Sequence, residues 1–326
     1  NAQSTMQILI TGAFGFIGTN LSEAIKATHN HHLIAVDLYQ PEKHAYGEFF
    51  DWNQLEKIDW SKVETIIHLA GKSHGTGKAA DEKIYFNRNV GLTEKIFKYF
   101  AESNATKFIF FSSVKAVADS ATEKILTELT LPNPQTPYGK SKLAAEKYIL
   151  NYDLPKNKRV YILRPCMIHG PGNKGILKLL CKLIQYKIPW PLVQFENKQS
   201  FTSIDNLIFV LRKILEKDIS SGFYLMADDD AISTNRLIQL IAESNGKEVQ
   251  ILKSNKNVIY SITQLGDILR IPINSDRLKK LTEPYVVSNK KLRDTLGIYK
   301  MPVSAEEGMK KTIQSLKKQC MPIAKK

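Results

Sequence analysis

Residues 6–27 read MQILITGAFGFIGTNLSEAIKA. A short apolar run, Ile8 to Ile10, ends in glycines, and the glycines open into a helical pattern. That order predicts a buried strand, a tight turn and a helix. Gly12, Gly15 and Gly18 fall between the strand and the helix. The first glycine permits the turn, the second lets a pyrophosphate approach the backbone, and the third lets the helix pack against the sheet. The helix N-terminus, with Phe16 and Ile17 at its start, offers N–H donors and a favourable dipole to phosphate. Three spaced glycines alone do not specify a dinucleotide; their position after the first strand does much of the specifying.

The next apolar run, HHLIAVDLY, ends near Asp37, 19 residues beyond Gly18. A carboxylate there binds the adenosine ribose hydroxyls and repels a 2′-phosphate, so NAD is expected over NADP. VETIIHLAG, TKFIFFSSV and KRVYILRP read as further buried strands, and RNVGLTEKIFKYFAES and GKSKLAAEKYIL as helices. The alternation predicts an α/β fold with a doubly wound parallel sheet of Rossmann type and a smaller C-terminal substrate-binding lobe. Residues 1–170 are expected to form the NAD-binding domain, with 201–227 returning to it through SFTSIDNLIFVLRKILEK and GFYLMA. Residues 171–200 and 228–326 are assigned to the substrate lobe.

The chain has 326 residues, 43% of them hydrophobic, with no run long enough to suggest a membrane span. No charged-then-apolar signal pattern opens it. Cys166, Cys181 and Cys320 form no CxxC pair, which points to a reducing cytoplasm and away from disulfides or zinc. A net charge of +14 favours anionic partners such as phosphorylated metabolites. No aromatic-rich nucleic-acid motif accompanies it, so no nucleic acid is expected. The histidines of HNHH lie in a helix-to-strand turn with no cysteine or carboxylate beside them, and no metal site is expected.

Three tyrosine–lysine pairs share a spacing of four: Tyr39/Lys43, Tyr138/Lys142 and Tyr152/Lys156. Pro41 and Pro155 interrupt the first and third, so neither is expected to lie on a continuous helix. Tyr138 and Lys142 lead into SKLAAEKYIL and share one helix face. A phenol that titrates near about 10 needs roughly 4 kcal/mol of differential stabilisation to reach about 7. A buried cation together with a nicotinium charge can supply that. The preceding strand delivers Ser112 and Ser113 at its carboxyl end, where ligands bind in open α/β sheets.

These blocks together resemble the extended short-chain dehydrogenase/reductases, and most closely the NAD-dependent epimerase/dehydratase family acting on nucleotide sugars. The carriers are the three glycines, Asp37, HLAG, NVGLT, Ser113 and YGKSK, with LRPCMIHGPG and SFTSIDNL later in the chain. The resemblance implies Ser113, Tyr138 and Lys142 as catalytic residues. It implies Asp51 and Trp52 near the adenine, Leu69, Ala70 and Gly71 along the cofactor, and Pro165 near the nicotinamide, with Asn89 as the family's asparagine. It also implies a UDP-sugar substrate and a homodimer. Gln199 stands where many UDP-sugar epimerases carry arginine, with Lys198 beside it, and Met167 stands in place of an asparagine. Arg277 is a candidate diphosphate ligand. Sugar 4,6-dehydratases of the family carry threonine, aspartate and glutamate where this chain has Ser113, Val114 and Lys115, so dehydration is not expected.

Two classes of function follow. One is an enzyme moving hydride at C4 of a UDP-linked hexose or N-acetylhexosamine, as an epimerase or, alternatively, as a 4-ketoreductase of a UDP-4-keto-6-deoxy sugar. The other is a non-catalytic NAD-sensing scaffold. Retention of the serine, the tyrosine and the lysine favours the enzyme.

Overall fold

The structure, a computed structural model, describes residues 5–28, 30–72, 82–172, 176–253, 255–269 and 275–320. His29 of the HNHH turn, part of the GPGNKG stretch and the last six residues lie outside that set.

The first half alternates as the apolar periodicity demands. It runs β1 (Gln7–Thr11), α1 (Phe16–Thr28), β2 (His32–Asp37), β3 (Glu48–Asp51), β4 (Thr65–His68), α2 (Glu82–Phe86), α3 (Leu92–Glu102), β5 (Lys107–Phe111), β6 (Ala121–Leu126), α4 (Pro137–Leu150) and β7 (Arg159–Pro165). The second half runs β8 (Met167–His169), α5 (Ile176–Gln185), β9 (Phe201–Ser203), α6 (Ile204–Glu216), β10 (Gly222–Met226), α7 (Thr234–Ser244), α8 (Lys256–Leu269), α9 (Ser275–Thr282), β11 (Tyr285–Val287), α10 (Lys290–Leu296) and α11 (Ala305–Cys320).

Seven strands form one sheet in the order β10-β7-β5-β4-β1-β2-β3, and every pairing is parallel. This is the doubly wound arrangement, with the chain reversing direction of travel at β1. Successive side chains of a strand face opposite sides, so a strand covered on both faces must be apolar throughout. Ile8 and Ile10 pack with Leu21 and Ile25 of α1 and Leu207, Val210 and Leu211 of α6. Leu9, between them, points the other way, into a cluster with Phe97 and Phe100 of α3 and Ala145 and Ile149 of α4.

A third apolar cluster joins α5, α7 and α11 around Leu180, Ile241, Met309 and Ile313. It lies outside the main sheet and forms the core of the smaller lobe. Two short parallel ladders, β8–β9 and β6–β11, connect the parts. β9 therefore pairs with β8 and not with the main sheet, and of the 201–227 stretch only β10 enters the main sheet as a strand. The helix predicted over 88–103 forms, with its first turn π-helical and a further turn ahead of it. One π-helical turn, Asn87–Gly91, separates α2 from α3 and buries Asn89. Such turns carry an extra residue per turn and recur at functional sites.

Candidate active site

All seven strands of the main sheet run the same way, so their carboxyl ends share one edge. Gly12, Asp37, Leu69, Ser112 and Cys166 each follow or end a strand there. Gly12 has φ +64°, and a side chain on it would meet the Ala70 backbone at 2.8 Å. The turn is thus pressed against the exit of β4. Gly18 is explained differently from the expectation: a Cβ there would lie 2.4 Å from the Ala13 carbonyl oxygen, so it lets α1 pack on its own preceding turn. Tyr46 fastens the same turn, its hydroxyl bonding the Ala13 and Gly18 carbonyls at 3.0 and 2.9 Å. Burial pushes its phenol up. Asp37 accepts from Phe14 N–H at 2.9 Å and from Leu38 N–H at 2.8 Å.

The exit of β4 is held by a directional chain of hydrogen bonds. Ala70 N–H donates to Thr11 Oγ1 (3.2 Å), and Thr11 Oγ1 lies 2.6 Å from His68 Nδ1. His68 Nε2 lies 2.9 Å from Thr93 Oγ1, which donates to the Asn89 carbonyl at 2.6 Å. The one Thr93 proton is given to the Asn89 carbonyl, so Nε2 carries the hydrogen and donates to Thr93, and Nδ1 accepts from the Thr11 hydroxyl. Burial first, and then the Lys142 charge, hold the His68 pKa down to about 3. His68 is a neutral connector, not an acid or base.

Asn89 grips what that chain positions. Its Oδ1 accepts from Lys72 N–H at 2.8 Å, and its Nδ2 donates to Ser141 Oγ at 2.9 Å. Ser141 in turn donates to the Tyr138 carbonyl at 2.8 Å. A Cβ on Gly71 would lie 2.5 Å from Asn89 Oδ1 and 3.5 Å from Lys142 Nζ. Gly71, Asn89 and Lys142 are therefore brought together.

Helix α4 starts where it does because Thr136 caps it, accepting from Gly139 N–H at 3.2 Å, with Pro137 in the first turn. Asp119 fixes that cap, accepting from Thr136 Oγ1 at 2.7 Å and from Gln135 N–H at 2.5 Å. Gly139 allows close approach, since a Cβ there would lie 2.4 Å from the Lys115 carbonyl. The result sets the Tyr138 phenol beside the Ser113 hydroxyl, within range of a polar interaction. Ser113 also caps a short 3-10 turn, accepting from Lys115 N–H at 3.1 Å. Burial raises the Tyr138 phenol, and the Ser113 hydroxyl opposes that rise.

One turn along α4, Lys142 is buried and donates to the Phe111 carbonyl at 2.8 Å. Burial lowers its pKa to about 8, against the opposing pull of Glu146. Glu146 is itself buried and receives a two-pronged contact from Arg164, at 2.9 and 2.6 Å. Ser112 donates to the same carboxylate. The two serines thus separate: Ser112 faces the buried ion pair and Ser113 faces Tyr138. Sequence reading missed Glu146 and Arg164. Glu146 lies four residues beyond Lys142 on the same helix face, and Arg164 is a charge inside an apolar strand; both were visible signals.

The other expected residues fall as follows. Asp51 ends β3 and accepts from Asn53 N–H at 2.7 Å. Trp52 is buried, its ring edge-on to His68 and its carbonyl bonded by Lys95. Its indole belongs to the core, which leaves the chain beside Asp51 to face outward. Pro165 ends β7 opposite Met226 of β10. Met167 is exposed at the start of β8. Lys198 lines a cavity of about 530 Å³ in the smaller lobe with Ser233, Arg236 and Glu306. The Gln199 amide nitrogen donates to the Lys280 and Glu283 carbonyls and clasps the end of α9. Arg277 lies in α9 itself. This segment reaches the loop that follows β5 through Tyr285. Its N–H bonds the Lys198 carbonyl at 2.8 Å, its hydroxyl bonds the Ala118 carbonyl at 2.7 Å, and the Lys115 ammonium lies 4.1 Å above its ring. Val114 is buried in the core beside it. Cys166 is buried there too, its thiol pushed up by burial, and His169 is fully enclosed against Thr312 of α11.

The chain is similar to known proteins over most of its length. The chain is 27% identical over 319 residues to a UDP-glucose 4-epimerase of Vibrio cholerae, covering 94% of each. It is 24% identical, again over 94% of each, to an N-acetyl-alpha-D-glucosaminyl-diphospho-ditrans,octacis-undecaprenol 4-epimerase of Escherichia coli O157:H7. The crystal structure of a UDP-glucuronic acid 4-epimerase from Bacillus cereus in complex with NAD superposes with a TM-score of 0.72 at 22% identity, covering 96% of this chain and 99% of that one. Residues 8–223 match the model of the NAD dependent epimerase/dehydratase family. The chain belongs to that family, and is an NAD-dependent enzyme of the extended short-chain dehydrogenase/reductase type.

Proposed function

We propose that the chain epimerises C4 of a UDP-linked hexose or N-acetylhexosamine through Ser113, Tyr138 and Lys142. The observation that carries this is the Tyr138 phenol, set beside the Ser113 hydroxyl at the carboxyl edge of the sheet with a buried lysine one turn further on. The names of both relatives and of the superposed structure, all 4-epimerases, support it.

The residues present fit the dinucleotide. Gly12 cannot carry a side chain, and the N-terminus of α1 opens beside it. Gly12, Gly15, Phe16, Ile17 and Gly18 would hold the pyrophosphate on backbone N–H groups. Asp37 would take the ribose hydroxyls, Asp51 and the Trp52 backbone would edge the adenine, and Leu69 to Gly71, Asn89 and Pro165 would line the rest. Bound NAD supplies reversible hydride transfer at C4. Ser113 orients the C4 oxygen, and Tyr138 takes its proton as that carbon is oxidised and returns it afterwards. Burial alone works against a phenolate here, so the Lys142 ammonium and the positive charge of the oxidised nicotinamide have to supply the opposing stabilisation. Lys198 and Arg277 would grip the diphosphate, with Gln199 bracing them from within the lobe.

The test is to denature purified protein, measure released NAD(H), and incubate UDP-glucose and UDP-N-acetylglucosamine with the native enzyme. Near-stoichiometric cofactor and C4 isomer interconversion without net NADH use are expected. An empty site with NADH consumption on a UDP-4-keto-6-deoxy sugar would replace this reading with a ketoreductase.

A further inference from the structure

Three consecutive residues at the end of β5 each meet a different residue of α4. The Phe111 carbonyl accepts from Lys142 at 2.8 Å, the Ser112 hydroxyl donates to Glu146, and the Ser113 hydroxyl lies beside the Tyr138 phenol. Positions 138, 142 and 146 are four apart and share one helix face. Strand end and helix are thereby joined at three successive points. The mechanism proposed above uses Ser113, Tyr138 and Lys142 and gives Glu146 no part.

The order of the sheet shows what Glu146 stands between. Lys142 Nζ lies 5.2 Å from the Phe110 ring of β5 and 3.5 Å from where a Cβ on Gly71 would be, at the exit of β4. The Arg164 guanidinium, from β7, lies 4.4 Å over the Phe223 ring of β10. The strands run β10-β7-β5-β4 across this part of the sheet. Lys142 therefore leans toward β4 and Arg164 toward β10, and Glu146, bonded by both Ser112 and Arg164, lies between them. All three charges are buried, in the sequence plus, minus, plus. A buried ion pair contributes little stability that apolar side chains of the same volume would not. It does fix a negative charge close to Lys142, where water screens it weakly. Among the described residues, the other titratable groups around Lys142 are Tyr138 on α4, the neutral His68 of β4, and Tyr85 of α2, which is edge-on to Tyr138 with Lys72 over its ring.

We propose that Glu146, secured by Arg164, is the counter-charge of the Lys142 ammonium and a positioning residue of the site. This rests on the reading of Tyr138 and Lys142 given above and adds the group behind the lysine. Burial pulls the Lys142 pKa down to about 8, and Glu146 opposes that pull. Without the carboxylate the ammonium would lose its proton at lower pH, and turnover would fail sooner on the alkaline side. The experiment follows two quantities across pH on the full chain with its bound cofactor. One is the ε-carbon NMR signal of Lys142 in lysine-labelled protein, assigned by its loss in Lys142→Arg. The other is C4 interconversion of UDP-glucose and of UDP-N-acetylglucosamine. Glu146→Gln keeps an acceptor for Ser112 and Arg164 and removes the charge. The Lys142 midpoint and the alkaline limb of turnover should both move down by about one pH unit. Glu146→Asp keeps the charge on a shorter stem and should hold both near those of the unaltered enzyme. A residue that only supports the fold would give the reverse order, with aspartate the more damaging. Should Glu146→Gln fail to fold, Glu146→Gln with Arg164→Met strands no charge and should show the same downward shift. The proposal is overturned if the Lys142 midpoint stays in place when the carboxylate is gone, or if Glu146→Asp moves it as far as Glu146→Gln does. Tyr138→Phe in the same assays separates this from the reading beneath it. Near-normal turnover there would overturn that reading and the positioning role with it. An inactive Tyr138→Phe beside an unmoved Lys142 midpoint would overturn the counter-charge alone.

Discussion

Lys142 and Lys158 are both buried lysines whose ammonium groups burial makes less basic, and they sit at opposite edges of the same sheet. Lys158 precedes β7 at the amino edge. Its three N–H donors meet the carbonyls of Phe100, Ser103 and Ala105 at 2.7, 2.8 and 2.8 Å. It caps the end of α3, where the helix leaves carbonyls unmatched. Lys142 at the carboxyl edge donates to Phe111 and stands beside Gly71, with the Phe110 ring 5.2 Å away. The same side chain with similar burial is a cap at one edge and a candidate catalytic cation at the other. What differs is the backbone each edge presents: helix C-termini at one, strand ends and glycine turns at the other. The cap role recurs. Lys107, Lys217, Lys247 and Lys317 each donate to a carbonyl at the end of α6, α10, α5 and α7. Part of the +14 charge is therefore internal support and not an invitation to anionic partners.

The contrast breaks hardest just behind the carboxyl edge. Arg164→Leu removes the partner of a carboxylate that is 1% exposed. Glu146 would keep the Ser112 hydroxyl alone, and unfolding in urea should show a loss of about 3–5 kcal/mol. Glu146→Gln combined with Arg164→Met should recover most of it, since no charge is then stranded. A single-variant loss below about 1 kcal/mol would mean that water reaches the pair.

Tyr138→Phe should leave unfolding and NAD content unchanged while turnover falls about 100-fold or more, near 2.7 kcal/mol of transition-state stabilisation. Tyr152→Phe, in the pair interrupted by Pro155, should alter turnover little. Near-normal turnover in the first variant would remove Tyr138 from the chemistry.

The two lysines should then part in sign. Lys158→Met strands three carbonyls and should cost about 2 kcal/mol of stability, with turnover per folded molecule intact. Lys142→Met should abolish turnover yet stabilise at neutral pH. The folded pKa of about 8 lies below the 10.5 of an ordinary lysine, so the unfolded chain holds this proton more tightly. That penalty, about 3 kcal/mol, is fully present below pH 8 and fades as pH rises to 10.5. Loss of the bond to Phe111 offsets part of it, leaving a net gain of about 1–2 kcal/mol at pH 7 that disappears near pH 10.5. Thermal unfolding across that range measures both variants. Equal destabilisation of the two would erase the distinction between the edges.

Legibility followed the range of the forces. The glycine turn and the Tyr138/Lys142 face are set within one element and its neighbour, and they could be read along the chain. Strand β3 escaped notice because EFFD is four residues at the sheet's edge with no long apolar run. His32 seemed to have no carboxylate nearby, yet Glu48 faces it at 2.5 Å, sixteen residues away, from the outermost strand. The π turn at Asn89 follows from contacts with Lys72 and Ser141, which local helix propensity does not contain. Gln199 shows the limit in the smaller lobe. Its position invited a ligand role, but its amide is committed to α9, more than eighty residues away in sequence.

The smallest effect concerns the cofactor's adenosine end. Asp37 accepts one backbone N–H on each oxygen, from Phe14 and Leu38, and each oxygen keeps a further acceptor site for a ribose hydroxyl. The carboxylate therefore stiffens the glycine turn, and in the proposed site it would also select against a 2′-phosphate. Calorimetric titration of protein freed of cofactor should show NADH bound more tightly than NADPH. Asp37→Ser removes the charge and keeps a small acceptor. NADH binding should weaken about tenfold, near 1.4 kcal/mol, as the ribose contacts and the turn loosen together. NADPH binding should weaken less or improve, because relief of repulsion opposes the same loosening, so the preference should narrow. Tighter binding of NADPH than NADH by the unaltered enzyme would show that the charge of Asp37 is not what the ribose meets. A variant that loses both cofactors equally would assign Asp37 to the turn alone, and would make it a structural residue at the carboxyl edge as Lys158 is at the amino edge.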